Sequence, residues 1–170
     1  NNQRLLKEIE ERKRVETALR ESEERYRDLV ENMSDAIYTV DMDGRISYIS
    51  PVIEKMAGYR PESMVGRHFH EFFLDEEQEK ISKDFKRLFS GNHGQGEYLL
   101  KTECGEPIWV RASSRLARNG DPLVGVQGIL TDITDRKMAE QQLKTKADEL
   151  EVLNRLGREM GEVLSVETIV

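Results

Sequence analysis

The chain has 170 residues and a mass of 19.7 kDa, enough for one domain with attachments or two very small ones. Charged residues make up 35% and apolar residues 37%, so part of the chain is solvated helix rather than core, and a net charge of −7 argues against a general nucleic-acid surface. No apolar run approaches the roughly 18–20 residues of a membrane span, the start is too polar for a signal peptide, and a single Cys excludes an internal disulfide framework or a thiolate zinc site. A reducing, cytoplasmic setting is the expectation.

Residues 1–33 contain neither Pro nor Gly and read as one helix. Val15, Leu19, Ser22, Tyr26, Leu29 and Met33 are spaced 4-3-4-3-4, the rhythm of a helix paired along its length. The seam falters upstream, where Arg12 and Glu8 take the expected positions. Such a helix is about 50 Å long, more than a small domain covers, so part of it is solvated or dimerised.

Residues 34–134 hold all four Pro and ten of the twelve Gly, which marks a compact middle. Ala36–Asp41 and Arg45–Ser50 read as strands joined by Asp-Met-Asp-Gly, with Gly44 supplying the positive φ of a hairpin turn. Short helices follow at Pro51–Gly58 and Pro61–Val65, a helical turn at Glu71–Leu74, and a longer helix from Asp75 to about Ser90. In that last helix Ile81, Phe85, Leu88 and Phe89 share one buried face. Three strands come next, at Gln95–Glu103, Pro107–Arg118 and Pro122–Ile133, turned at Cys104-Gly105 and Asn119-Gly120. The order is two strands, helices, then three strands: an α+β domain built on an antiparallel sheet.

Beyond the sheet, Ala139, Leu143, Lys146, Leu150, Leu153, Gly157, Met160 and Leu164 keep a 4-3 alternation. Lys146 and Gly157 weaken it, yet Leu143, Leu150 and Leu153 on one stripe predict a parallel two-stranded coiled coil. The expected divisions are an N-terminal helix over 1–33, a domain over 34–134, a helix over 135–164, and the start of a following domain over 165–170.

Several stretches together resemble a PAS domain over Glu21–Lys137. They are Ala18–Val30 (ALRESEERYRDLV), Asp41–Ile46 (DMDGRI), Ser50–Tyr59 (SPVIEKMAGY), Glu103–Val110 (ECGEPIWV) and Thr131–Lys137 (TDITDRK). The resemblance implies a five-stranded sheet in the order 2-1-5-4-3, helices enclosing a small pocket on one face, and a sensory or dimerising role in a multidomain signalling protein. It places the Asp-x-Thr motif of Asp132 and Thr134 where the last strand becomes the signalling helix. Thr134 or Asp135 can N-cap that helix, so Asp132, Thr134 and Asp135 form the expected signal junction. Leu153–Val170 resembles the opening helix of a GAF domain, which would make the chain a piece of a longer protein.

PAS domains that hold cofactors leave traces in sequence. Flavin-binding sensors of the LOV type carry Asn-Cys just after the Gly-Arg that is here Gly66-Arg67; this chain has His68-Phe69, so a thiol adduct has no Cys to form on. The matching inward positions, Leu100, Val110 and Leu130, are aliphatic and would leave a flavin's polar edge unsatisfied, at about 1–3 kcal/mol per group. Gln127 points to the other face. Haem-binding members ligate iron through a His on the long helix, and Asp75–Ser90 has none. His68, His70 and His93 lie outside it. His68-x-His70 is the one metal-like spacing, and it lacks accompanying carboxylates or thiols, so surface or hydrogen-bonded histidines are the better reading. Cys104, in a turn, reads as an ordinary exposed thiol. No Gly-rich phosphate loop, Gly-x-Ser-x-Gly or His-Glu-x-x-His is present, and no catalytic constellation emerges.

The candidate pocket is Tyr38, Val40, Met56, Tyr59, Phe69, Phe72, Leu88, Leu100, Val110, Ala112 and Leu130. It is either a filled core or a site for a small apolar ligand, with a Tyr38 or Tyr59 hydroxyl as polar handle. The outer sheet face would carry Trp109, Arg111, Ser113, Gln127 and Ile129. It would be covered by the N-terminal helix, through Tyr26, Leu29, Val30 and Met33, or by a second subunit. The functional expectation is a non-catalytic sensory and dimerisation module, a parallel homodimer relaying to an output domain of a sensor histidine kinase or diguanylate cyclase. The alternatives are a ligand-free spacer and, third, a redox-cofactor sensor. The expected dimer seam is Val15, Leu19, Tyr26, Leu29, Leu143, Leu150 and Leu153.

Overall fold

The computed structural model describes residues 2–31, 34–91, 94–118 and 123–167. Helix α1 spans Asn2–Glu31, and its described side chains are exposed along its length. The sheet is formed by β1 (Ala36–Val40), β2 (Ile46–Ile49), β3 (Gly94–Leu100), β4 (Ile108–Arg118) and β5 (Leu123–Asp132). Its order is β2-β1-β5-β4-β3, with every neighbouring pair antiparallel. Between β2 and β3 lie α2 (Val52–Ala57), α3 (Pro61–Met64), a 3-10 helix (Phe69–Phe72) and α4 (Asp75–Leu88). Helix α5 (Thr134–Glu167) follows β5, and the chain divides into two units between Asp132 and Ile133.

Local chemistry accounts for each punctuation. In the β1–β2 turn the Asp41 carboxylate accepts from the backbone N–H of Asp43 (2.9 Å) and of Arg45 (2.8 Å), and Gly44 takes φ 83°. Helix α2 ends on Gly58 in the left-handed conformation, whose N–H closes on Glu54 O (2.9 Å). Pro61 opens α3 after an extended Arg60. Helix α4 carries Asp75, Glu76 and Glu77 in its first turn and Lys86 and Arg87 in its last, both favourable to its dipole. Ser50, the buried polar residue, accepts from Ile37 N (3.0 Å) through its hydroxyl and donates its own N–H to Ile37 O (2.8 Å).

Of the boundaries that differ from those the sequence predicts, two have a local cause. The helical turn placed at Glu71–Leu74 lies at Phe69–Phe72. It is set there by a reciprocal cap: His68 Nδ1 accepts from His70 N (3.4 Å), and the Glu71 carboxylate accepts from His68 N (3.1 Å). Strand β3 ends at Leu100 rather than Glu103. Past Leu100 the backbone leaves β4 for the helical connection: Lys101 N donates to Phe72 O (2.8 Å) and Glu103 N to Ala57 O (2.9 Å). The Asn119-Gly120 turn falls outside the described residues, as do Met33 and His93.

The core lies between the sheet's inner face and α2, α3, the 3-10 helix and α4. Ile53, Leu100, Val110 and Val126 are its most enclosed large side chains. The opposite face carries Trp109 and Arg111, half-buried, with Ser113 and Ile129 exposed, as strand alternation predicts. There Arg111 pairs with Glu97 on β3 (3.2 Å).

Candidate functional site

One cross-strand row explains why the inner face is not filled. Registry aligns Tyr38 on β1, Gly128 on β5, Ser114 on β4 and Gly94 on β3. Gly128 has no side chain, so the Tyr38 ring extends across β5 and its hydroxyl meets the Ser114 hydroxyl at 2.6 Å. A Cβ on Gly128 would stand 2.6 Å from that Tyr38 hydroxyl. The next row, Ala36, Leu130, Ala112 and Gly96, is equally short of bulk. There Tyr98 folds back over Gly96, and its hydroxyl donates to Asp84 Oδ2 on α4 (2.7 Å).

These small residues leave a cavity of about 70 Å³. That is room for a few atoms, well below the roughly 300–1,000 Å³ of drug-sized ligands. Aromatic rings from the 3-10 helix, α4 and β3 wall it, with Phe69 and Phe85 centroids 5.0 Å apart and Phe73 edge-on to Tyr98 at 5.8 Å. Burial pushes the Tyr38 hydroxyl above the ordinary tyrosine range, against a smaller lowering by its Ser114 bond. Burial, then the bond to Asp84 and that carboxylate's charge, raise Tyr98 as well. Both phenols stay protonated and serve as hydrogen-bonding groups, not as bases.

Of the eleven pocket candidates, the structure brings Tyr38, Val40, Phe69, Phe72, Leu88, Leu100, Ala112 and Leu130 to the cavity wall. Met56 and Tyr59 pack against the core without reaching the cavity. Tyr59 meets Phe72 edge-on (5.2 Å), beside the charges of Arg67, Glu103 and Lys101, so of the two tyrosines Tyr38 is the one that lines the cavity. Val110 is fully buried, paired in register with Tyr98, and does not line the cavity. The sequence reading missed Tyr98, Ser114 and Asp84. Each was accessible: Tyr98 and Ser114 are two residues from Leu100 and Ala112 on the same strand faces, and Asp84 is three from Ile81 and four from Leu88 on α4.

His68 caps the 3-10 helix and His70 lies within it, their ring centroids 4.0 Å apart. The His68 imidazole fits against Gly44, where a Cβ would come within 2.8 Å of Nε2. The pKa of His68 is lowered, by burial first and then by the charges of His70 and Arg45, against the opposing Asp43 backbone bond and Glu71. His70 Nδ1 is buried without a hydrogen-bond partner. Because the folded state disfavours charged His68, the unfolded chain binds more protons below the free-histidine value of about 6.5. This contribution to stability is complete above that pH and is lost as pH falls through the lower folded value. Between about pH 7.5 and about pH 5 the wild-type urea midpoint is expected to fall more than that of His68→Gln. Equal losses would show that His68 does not couple to folding.

Cys104 is exposed. Its thiol is drawn below the usual range by the Thr102 hydroxyl (3.1 Å) and the Glu106 backbone, a source that a search for nearby basic residues does not see. The predicted seam residues Val15, Leu19 and Tyr26 of α1, and Leu143, Leu150 and Leu153 of α5, are all exposed. The Leu29 and Val30 side chains lie outside the described set. At the junction β5 ends on Asp132, paired in register with Val110, and α5 begins at Thr134 with Asp135 in its first turn.

A PAS domain model matches residues 34–135. The chain belongs to the PAS domain family. Its sheet order is the one the resemblance implies. The crystal structure of the PAS domain of an HTR-like protein from Haloarcula marismortui matches with a TM-score of 0.60 at 26% identity, covering 71% of this chain and 99% of that one. The sensor histidine kinase TmoS of Ectopseudomonas mendocina is 29% identical over 167 residues, which are 94% of this chain and 16% of that kinase. Sporulation kinase C of Bacillus subtilis (strain 168) is 23% identical over 161 residues, 89% of this chain and 36% of the kinase. The PAS chain therefore spans well under two thirds of the kinases it matches. It is a PAS sensory domain homologous to the PAS regions of sensor histidine kinases.

Proposed function

We propose that this PAS domain is a non-catalytic sensory and dimerisation module. It forms a parallel homodimer and relays a signal through α5 to an output domain of the histidine-kinase or diguanylate-cyclase type. The observation that carries the reading is the apolar stripe of α5: Leu143, Leu150 and Leu153 keep 70%, 62% and 63% of their surface exposed at heptad spacing. A lone helix gains nothing from such a stripe, whereas two of them bury it. A small ligand in the cavity shifts packing behind the sheet. The Asp132–Thr134 junction moves, and the paired helices change rotation or register. A preference of about 1–3 kcal/mol between two helix states is enough for a useful switch.

Native mass spectrometry of the chain is expected to give twice 19.7 kDa, and Leu150→Glu to give the monomer. A wild-type monomer would overturn the dimer. In the full-length parent, Asp132→Ala is expected to change output while the domain stays folded, and unchanged output counts against the junction as relay.

A further inference from the structure

Resting on the reading of the cavity as a ligand site, we infer that it selects a small organic cation of the alkylammonium class. Among the described residues that line the cavity, Asp84 is the one formally charged, and it is negative. The other polar side chains there, Tyr38, Ser114 and Tyr98, are hydroxyls able to accept a hydrogen bond. Tyr98 spends its proton on Asp84, and the Tyr38–Ser114 pair spends one of its two hydroxyl protons within the pair, which leaves a single hydroxyl donor for a ligand. Among the described residues the lining therefore offers one carboxylate and several hydroxyl acceptors against a single spare hydroxyl donor, and the cations Lys80 and Arg87 are not part of it.

The rings complete the recognition. Phe69, Phe85 and Tyr98 line the same cavity as Asp84, and aromatic faces attract ammonium groups. The chain already uses Tyr98 in this way, since the Lys80 ammonium sits 4.8 Å from its ring centroid. Asp84 keeps 34% of its side-chain surface in solvent, so it can hold a cation without burying the pair completely. Its current counter-ion is weak: the mostly exposed Arg87 guanidinium, 3.7 Å from Oδ1. A ligand ammonium would replace Arg87 there and place its methyl groups among the rings. A carboxylate ligand would instead face Asp84 at short range in a partly desolvated site.

The test is an NMR titration of the whole chain with three probes of four heavy atoms each: trimethylammonium, 2-propanol and acetate. Trimethylammonium is expected to shift the Tyr38 and Tyr98 ring signals saturably, with a Kd roughly tenfold below that of 2-propanol. Acetate is expected to shift neither. Asp84→Asn keeps an oxygen for the Tyr98 hydroxyl and should bring trimethylammonium to within about twofold of 2-propanol. Arg87→Gln should tighten trimethylammonium, and this second variant leaves the cavity wall intact. If 2-propanol binds as tightly as trimethylammonium, or Asp84→Asn changes nothing, the cation assignment is overturned and the cavity remains a ligand site. If no probe shifts either tyrosine, the cavity itself falls as a ligand site, and with it the ligand step of the proposed function.

Discussion

Gly125→Ala is expected to lower the stability of the domain by about 3–4 kcal/mol, a large share of the roughly 5–15 kcal/mol of an ordinary domain. Two independent effects meet at this residue. Its φ is +149°, in the region that side-chain-bearing residues avoid. A Cβ there would also overlap the Val40 carbonyl oxygen and stand 2.9 Å from Asp41 Cα. Both obstacles are backbone at and just past the end of the neighbouring β1, so no rotamer change relieves them. The position is a local irregularity of β5: Ala117 pairs with Gly125, but Arg118 pairs with Leu123, so the register slips here. Urea unfolding followed by circular dichroism measures the loss. Gly105→Ala is the control, because Gly105 has φ 95° with open space around it and should cost only about 1 kcal/mol. Equal losses at the two sites would mean that the clash with β1 contributes nothing.

The contrast between these glycines shows what the sequence conveys. Gly44, Gly58 and Gly105 lie at turns or helix ends, where the hydrophobic pattern breaks, and each has positive φ. Gly125 and Gly128 lie inside a strand, and nothing in β5 itself tells a bulge glycine from one that makes room for a ring. That distinction comes from the neighbour: Val40 crowds Gly125, and Tyr38 crosses Gly128. Pairing register is a long-range fact, and a single chain read in order does not contain it.

The same limit explains the pocket. Hydrophobic periodicity predicted the strands and the buried face of α4, and strand alternation predicted the two faces of the sheet. It favoured apolar residues, so it selected Met56 and Tyr59, which fill space beside the cavity, and passed over Ser114 and Asp84, which line it. A polar residue on an inward face is the better pointer to a site, because burying it without a partner is costly. Here each has found one: Ser114 meets Tyr38, and Asp84 accepts from Tyr98. These two bonds also hold the rings in place and keep the space between them open. The helix seams are a different case. Their period is visible in the sequence, but an exposed stripe acquires its meaning from a partner.

Leu100→Ala tests whether the cavity is as rigid as this framework implies. Leu100 is 1% exposed, closes β3, and lines the cavity directly. Truncation removes three carbon atoms beside a space of about 70 Å³ that already exists. A loss of about 3 kcal/mol is expected, within the roughly 2–5 kcal/mol of comparable core truncations. The enlarged space should approach the roughly 150 Å³ of an engineered apolar cavity that stays dry and takes benzene. Benzene is therefore expected to raise the Tm of Leu100→Ala more than that of the wild-type chain, since a ligand that binds only the folded state stabilises it by mass action. A loss under about 1 kcal/mol with no benzene effect would mean that β3 and α4 close over the gap. In that case the Tyr38–Ser114 and Tyr98–Asp84 bonds would not be what keeps the cavity open. A full loss of stability recovered in part by benzene would show that they hold the sheet and α4 apart even when a wall side chain is removed.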